Sequence, residues 1–204
     1  MEGVEAFRLF LALKGEALRE EVRSRFPRLV PLLKALGEEV EARGEAFRLA
    51  RPLRLSWFAP LLAAHFAHLS QEERLLALER LVEAAHASAE AGEPWVEGDG
   101  LLAAARAFQR GSEALLEGRY REALHRLGEG LGLLEAAGLP FPAAALGLLA
   151  LAQEGFRPGG KGRQTARKAL ERAQTPFAKE LAARVLQATE EGPRKPYNGG
   201  HAGA

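Results

Sequence analysis

The sequence predicts an all-α protein in which antiparallel helical hairpins stack against an amino-terminal helical bundle. Three observations support this prediction. Apolar residues recur at three- and four-residue spacing along most of the 204 residues, whereas alternating, strand-like patterns are missing. Ser70 opens one long helix with a capping box. Small residues at Gly111, Ala114 and Ala123 have the spacing that two closely packed helices require.

Composition excludes several kinds of site. The chain has no cysteine, so it can form neither disulfides nor cysteine-ligated zinc or iron–sulfur centres, and it has no thiol nucleophile. Residues 1–5 lack a basic leader, and no apolar stretch approaches the ~20 residues that span a bilayer. We therefore expect a cytoplasmic protein that does not enter a membrane. One Met, no Cys and the single Asn198 are typical of thermophilic proteins.

The amino-terminal part, residues 1–91, is predicted to be a helical bundle. Its first helices are predicted over residues 2–13, 16–25 and 27–51. Prolines suit the first turn of the third of these helices, and Pro52 ends it. Gly37 and Gly44 weaken this long helix without interrupting its apolar stripe.

A connector, two further helices and a loop complete the bundle. The connector covers residues 53–57, and the two helices begin near Ala59 and at Ser70. Residues 92–100 are rich in Gly and Pro, so we place the boundary with the second half of the chain there. Trp57 and Trp95 lie in the two connecting segments, where large aromatic rings anchor a loop to the core or mark an interface, and anchoring is the favoured interpretation.

The stretch from Gly111 to Leu127 gives the most specific fold signal. Glycine at 118 supplies a tight turn, and small residues let the two flanking helices approach closely. The stretch resembles the tetratricopeptide repeat (TPR), a helical hairpin of about 34 residues. The matching residues are Gly111, Ala114, Gly118, Tyr120, Ala123 and Leu127. The resemblance covers residues 104–137, and Arg110 and Gly130 depart from the family pattern.

A second, degenerate hairpin is predicted over residues 142–176. Its connecting loop, residues 157–162, is longer than the family turn. A closing helix from Pro176 to about residue 189 covers the last apolar face, as a solenoid requires. Residues 101–191 are therefore expected to form a short TPR-like α-solenoid, and residues 192–204 a disordered tail.

No motif in the chain points to a reaction. Residues 155–162 nearly match the nucleotide-binding loop GxxxxGK[ST], but Gly162 replaces the magnesium-binding hydroxyl and a predicted helix precedes the loop where the motif needs a strand. His65 and His68 lie one helical turn apart and are interpreted as structural residues rather than metal ligands. We therefore predict no catalytic residue, no metal site and no cofactor.

The resemblance implies a protein-interaction or assembly function. In proteins of this family the first helices of the repeats line a concave groove that binds peptides or partner helices. Carried over to this chain, the groove residues are Phe108, Gln109, Ser112, Leu115, Ala145 and Leu149. A protein or peptide partner is therefore expected. A short array also leaves apolar faces that a second copy could cover in a homodimer.

The alternative function is binding to the phosphate backbone of a nucleic acid. The net charge is only +1, but residues 70–99 are acidic and residues 156–172 are basic. The candidate contacts in the basic segment are Arg157, Lys161, Arg163, Arg167 and Lys168. Its glycine loop precedes a predicted helix start, an arrangement that also suits a phosphate or a carboxylate.

Overall fold

The computed structural model describes residues 3–190 and confirms the all-α fold class. The helices are α1 (Val4–Lys14), α2 (Arg19–Arg25), α3 (Leu29–Leu36), α4 (Leu55–His65), α5 (Gln71–Glu90), α6 (Leu101–Leu116), α7 (Tyr120–Ala136), α8 (Ala143–Phe156), α9 (Gly162–Arg172) and α10 (Pro176–Glu190). Three short strands are β1 (Ala17–Leu18), β2 (Val40–Arg43) and β3 (Ala46–Leu49). The tail predicted to be disordered lies outside the described residues.

The region predicted as one helix over residues 27–51 is a short helix followed by a β-hairpin, so that prediction is wrong. α3 ends at Leu36, and a 3-10 turn leads into β2. Between β2 and β3, Gly44 adopts a left-handed conformation with φ +56°. Val40 and Phe47, seven residues apart, fit a helical stripe as well as they fit two paired strands, which explains the error.

β3 is the central strand of the sheet, with the order β1-β3-β2 and antiparallel pairing throughout. Ala17 pairs with Phe47, so residues predicted to start the second helix belong to β1 instead. α2 therefore begins at Arg19. β1 leads directly into α2, and β2 closely follows α3, so each of these helices is adjacent in sequence to a strand of the sheet.

The buried apolar residues form two cores. The first belongs to the amino-terminal unit, which we define as residues 4–51, and includes Phe7, Phe10, Val22, Phe26 and Phe47. The second extends through the helical half, residues 55–190, from α4 to α10. α1 contributes to both, because Leu9 and Leu13 pack in the second core. The predicted boundary at residues 92–100 is a loop, but the core continues across it and divides near Pro52 instead.

The helical half follows the sequence prediction closely. The capping box is confirmed: Glu73 N–H donates to Ser70 Oγ at 3.2 Å, and Ser70 N–H donates to Glu73 Oε1 at 2.9 Å. The hairpin α6–α7, the hairpin α8–α9 and the closing helix α10 lie where they were expected. α4 begins at Leu55, so part of the predicted connector is its first turn.

Glycines set the spacing between the paired helices. A Cβ atom added to Gly111 in α6 would lie 2.7 Å from Leu127 Cδ2 in α7. In the reverse direction, a Cβ atom on Gly130 would lie 2.6 Å from the ring of Phe108, so this departure from the repeat pattern makes room for an aromatic ring. Gly147 plays the same part between α8 and α10, where it faces Leu181.

Candidate interaction site

Five of the six residues predicted to line a partner groove are buried, which corrects that prediction. The residues without exposed surface are Phe108, Gln109, Ser112, Leu115 and Ala145, and Leu149 is partly exposed. α5 packs against α6, α8 and α10 and reaches Ser112 through His86. Phe108 lies against Gly130 of α7, and Gln109 bonds to the loop at residues 93–96. In this conformation the chain's own helix occupies the position that the resemblance assigns to a partner.

A buried carboxylate joins α5 to the start of α10. Glu79 Oε1 accepts hydrogen bonds from the backbone N–H groups of Gln174 and Thr175, both at 3.1 Å. The same oxygen accepts a third from Thr175 Oγ1 at 2.8 Å. These donors precede the first turn of α10, where backbone N–H groups lack helical partners. Glu79 therefore acts as a cap supplied by a different helix.

A buried histidine joins α5 to α6 and α10. His86 Nδ1 lies 3.2 Å from Ser112 Oγ, and the ring centroids of His86 and Phe177 are 5.5 Å apart. Burial lowers the pKa of His86, and the charge of Glu90 opposes that shift. The neutral imidazole is therefore favoured at neutral pH. His86 contributes a polar contact to the helix packing without introducing a buried charge.

Gln109 fixes the loop that joins the bundle to the first hairpin. Its Oε1 accepts a hydrogen bond from Val96 N–H at 3.1 Å. Its Nε2 donates to the carbonyl oxygens of Glu93 and Pro94 at 3.2 and 3.1 Å. A buried amide needs such partners, because burial without them is costly. The three bonds hold the residues on either side of Trp95.

Trp95 is held in place but remains partly exposed. Its side chain keeps 44% of its surface accessible. The Arg110 guanidinium carbon lies 4.3 Å from the indole centroid, and Trp95 Nε1 donates to Glu113 Oε2 at 3.3 Å. These contacts fix the ring against α6 and not in either core, so the predicted anchoring to the core is not seen for Trp95. The exposed part of the ring forms a fixed aromatic surface.

Arginines from α6 and α7 surround this indole. An open cavity of about 150 Å³ is lined by Trp95, Arg110, Glu113, Arg119, Glu122 and Arg126. A concavity of about 620 Å³ shares three of these residues and adds Tyr120, Arg121 and His125. We call these nine residues the Trp95 surface. Arg119 forms ion pairs with Glu117 and Glu122, and Arg126 pairs with Glu129. The other two arginines of the lining, Arg110 and Arg121, form no ion pair within residues 3–190.

The sequence predicts Trp95 to be a loop anchor or an interface residue, and it shows Arg110 as a departure from the repeat pattern. The hairpin α6–α7 brings Arg110 and the arginines of α7 to one surface beside Trp95. The departure at Arg110 was therefore the signal available in the sequence.

The basic segment is exposed, but its loop is internally satisfied. Arg157, Lys161, Arg167 and Lys168 are exposed, whereas Arg163 is partly buried. Glu154 Oε1 accepts a hydrogen bond from Gly159 N–H at 2.9 Å, and Thr165 Oγ1 donates to Gln153 Oε1 at 2.6 Å. A carboxylate of the chain itself therefore occupies part of the loop that was expected to suit an external anion.

The histidines expected to be structural have protein partners. His65 Nε2 lies 2.6 Å from Glu5 Oε1 in α1, and the rings of His65 and His68 have centroids 6.5 Å apart. Residues 3–190 contain no group of three His, Cys, Asp or Glu side chains that could hold a metal ion. Within the same residues, no helix combines the length and apolarity that crossing a membrane requires.

No protein-family model, curated protein or solved structure matches this chain. The resemblance to the tetratricopeptide repeat therefore rests on the motif between Gly111 and Leu127. The function has to be argued from the surfaces of the molecule itself.

Proposed function

We propose that this chain is a protein-interaction or assembly module that binds an acidic segment of a partner protein at the Trp95 surface. The observation that carries the proposal is the partly exposed indole of Trp95, fixed beside arginines from two helices. Trp, Tyr and Arg are the residue types that contribute most of the binding energy at protein interfaces. Arg110 and Arg121, which form no ion pair within residues 3–190, favour a partner of opposite charge.

Pre-organisation adds to the case for binding. Arg110 and Glu113 hold the indole, and Gln109 holds the loop that carries it. Side chains that are ordered before association lose little conformational entropy when a partner binds. Tyr120 lies at the start of α7 in the adjoining concavity, so two aromatic residues line one continuous surface.

The helical array supports a binding role in a second way. α6, α8 and α10 already hold α5, which covers their residues with an apolar face that includes Leu78, Leu81 and Val82. Stacked helical hairpins commonly bind helices in this manner. Because α5 fills that position, we place the external partner on the outward-facing Trp95 surface rather than in the predicted groove.

A capture experiment with a matched control tests the proposal. The full chain is immobilised, exposed to lysate of its native organism, and the retained proteins are quantified by mass spectrometry. Trp95→Ala combined with Arg110→Ala should reduce an acidic partner at least tenfold. The control combines Trp57→Ala with Arg51→Ala, because Arg51 also lies over an indole, 4.8 Å from the Trp57 centroid. Equal retention by both variants and the wild-type chain would contradict the proposal.

The second candidate function is phosphate-backbone binding by the basic segment. It is favoured by one observation: Arg157, Lys161, Arg167 and Lys168 are exposed, and none of them forms an ion pair with another described residue. Arg167→Gln combined with Lys168→Gln tests it. Under this candidate function the double variant loses most of the salt-sensitive retention of DNA or RNA on a filter.

A further inference from the structure

The amino-terminal unit contains a helix pair that the predicted fold did not include. α2 and α3 are joined by only three residues, Phe26, Pro27 and Arg28. A connector of three residues has the length found in the helix-turn-helix arrangement, whose second helix can enter the major groove of DNA. The outer surface of this pair is the part that DNA would contact.

The inner side of the helix pair is firmly anchored. Val22 from α2, Phe26 from the connector, and Leu29 and Leu36 from α3 are buried in the amino-terminal core. The Phe26 ring packs against Phe7 and Phe10 of α1, with centroids 5.2 and 5.4 Å apart. The inner side of the pair therefore packs in one core with α1 and the sheet, and its other side is exposed.

The outward side carries positive charge and little else that is charged. Between Val22 and Gly37 the chain contains four cations and no carboxylate; the cations are Arg23, Arg25, Arg28 and Lys34. All four side chains are exposed, and within residues 3–190 none of them forms an ion pair. The nearest acidic residues in sequence, Glu21 and Glu38, lie toward the ends of α2 and α3 that are remote from the turn.

The exposed face of α3 is small and partly apolar. Val30 keeps 69% of its surface accessible, and Pro31, Lys34 and Ala35 complete this face. With its side chains an α-helix is about 10–12 Å in diameter, which suits a major groove about 12 Å wide. Apolar side chains on such a helix can contact the methyl group of thymine. Arg25 and Arg28 line an open cavity with Pro31, so the cations of the turn adjoin this face.

We propose that α2, α3 and their turn form a second binding surface, which takes B-form duplex DNA. Arg23, Arg25 and Arg28 contact phosphates, and the face of α3 that carries Val30 and Lys34 lies in the major groove. This surface is distinct from the Trp95 surface and from the basic segment of α9. It joins a DNA-binding unit to a protein-binding helical half in one chain.

Fluorescence polarisation with the full chain tests this proposal. The probe is a fluorescein-labelled duplex DNA of mixed sequence, titrated at several NaCl concentrations from 50 to 200 mM. Three phosphate contacts predict that the logarithm of the association constant falls with the logarithm of the salt concentration with a slope of about −3. Arg25→Gln combined with Arg28→Gln should weaken binding at least tenfold and reduce the slope by about 2.

Two matched variants separate this surface from net charge and from misfolding. Arg43→Gln combined with Lys179→Gln removes the same charge from exposed positions outside both basic surfaces and should leave binding unchanged. The α9 variant, Arg167→Gln with Lys168→Gln, shows whether the basic segment binds the same DNA. Val30→Glu places a carboxylate on the exposed face of α3, away from both cores, and should abolish binding while circular dichroism and Trp fluorescence stay the same.

Four results would overturn the proposal. These are no binding at 50 mM NaCl, equal weakening by the Arg25/Arg28 variant and its charge-matched control, weakening by the α9 variant alone, or equal binding of a duplex RNA of the same sequence. RNA is decisive because the major groove of an A-form helix is too narrow to admit α3.

Discussion

The amino-terminal unit and the helical half differ in how their main packing contacts are spaced along the chain. In the amino-terminal unit, β1 pairs with β3, so residue 17 lies beside residue 47, and α1 packs under both α2 and α3. In the helical half, the two helices of each hairpin are neighbours in sequence, as Gly111 and Leu127 are, and the long-range contacts include those that α5 makes with α8 and α10. Contacts between sequence neighbours leave a local pattern of small and large residues, whereas the sheet depends on pairing between distant segments.

α1 connects the two regions. Phe7 and Phe10 pack in the amino-terminal core, whereas Leu9 and Leu13 pack in the core of the helical half. Arg80 in α5 adds polar contacts, with its Nε donating to Leu13 O at 2.9 Å. A helix that is apolar on both sides is typical of a position between two layers. The two regions therefore have separate cores, and α1 contributes residues to both.

The largest expected effect tests whether these cores unfold separately. Phe7→Ala and Phe108→Ala each remove a fully buried ring, one from each core, and each should lower the stability of its own core by about 3–5 kcal/mol. Hydrogen exchange should show lost protection over residues 4–51 for Phe7→Ala. Trp57 and Trp95 both lie in the helical half, so Trp fluorescence should report Phe108→Ala much more strongly.

The control for this comparison is the wild-type chain followed by both probes in urea. If the two variants shift the circular dichroism and fluorescence midpoints equally, α1 couples the cores into one cooperative unit, and the division near Pro52 has no thermodynamic meaning.

The helical half was predictable because its signals are local. The Ser70 capping box, the glycine turn at 118 and the spacing from Gly111 to Leu127 each operate within one or two helices. The hairpin β2–β3 was not predictable in this way. Its apolar residues fit both a helical and a strand-like reading, and only pairing with Ala17, far away in sequence, distinguishes them.

The site was predictable to a smaller extent than the fold. Phe108 and Ser112 lie on the predicted side of α6, but the sequence does not reveal that α5 covers that side. Likewise, Glu79 looks like one member of an acidic helix face until its contact with Thr175, distant in sequence, is known. Local periodicity tells which face of a helix is apolar and does not identify the element that covers it.

The second prediction concerns the close packing of α6 against α7 in the helical half. Gly111→Ala introduces a Cβ atom 2.7 Å from Leu127 Cδ2 and 3.2 Å from Leu127 N, so overpacking should lower the free energy of unfolding by about 1–3 kcal/mol. Gly128→Ala is the matched control in the partner helix, because a Cβ atom there meets nothing within 4 Å. It should stabilise the protein by about 0.5–1 kcal/mol. Urea unfolding followed by Trp fluorescence measures both, and a gain for Gly111→Ala would refute close packing at this position.

The smallest expected effect is the change in stability when Gly44 is replaced by alanine. Its sign distinguishes the β2–β3 hairpin from the single helix predicted over residues 27–51. If residues 27–51 formed one helix, Gly44→Ala would stabilise it by about 0.5–1 kcal/mol. In the hairpin, Gly44 has φ +56°, and alanine in a left-handed conformation costs about 1–2 kcal/mol. A Cβ atom at this position meets nothing within 4 Å, so backbone strain alone determines the result.

Asparagine at the same position separates strain from other causes. Asn tolerates the left-handed conformation better than alanine does, so Gly44→Asn should lose less stability than Gly44→Ala. Hydrogen exchange over residues 40–49 measures both variants directly, since these amides belong to the hairpin. Increased protection in Gly44→Ala would favour the helix and contradict the hairpin. The expected result is decreased protection in Gly44→Ala and a smaller decrease in Gly44→Asn, because the backbone at residue 44 is left-handed in the turn.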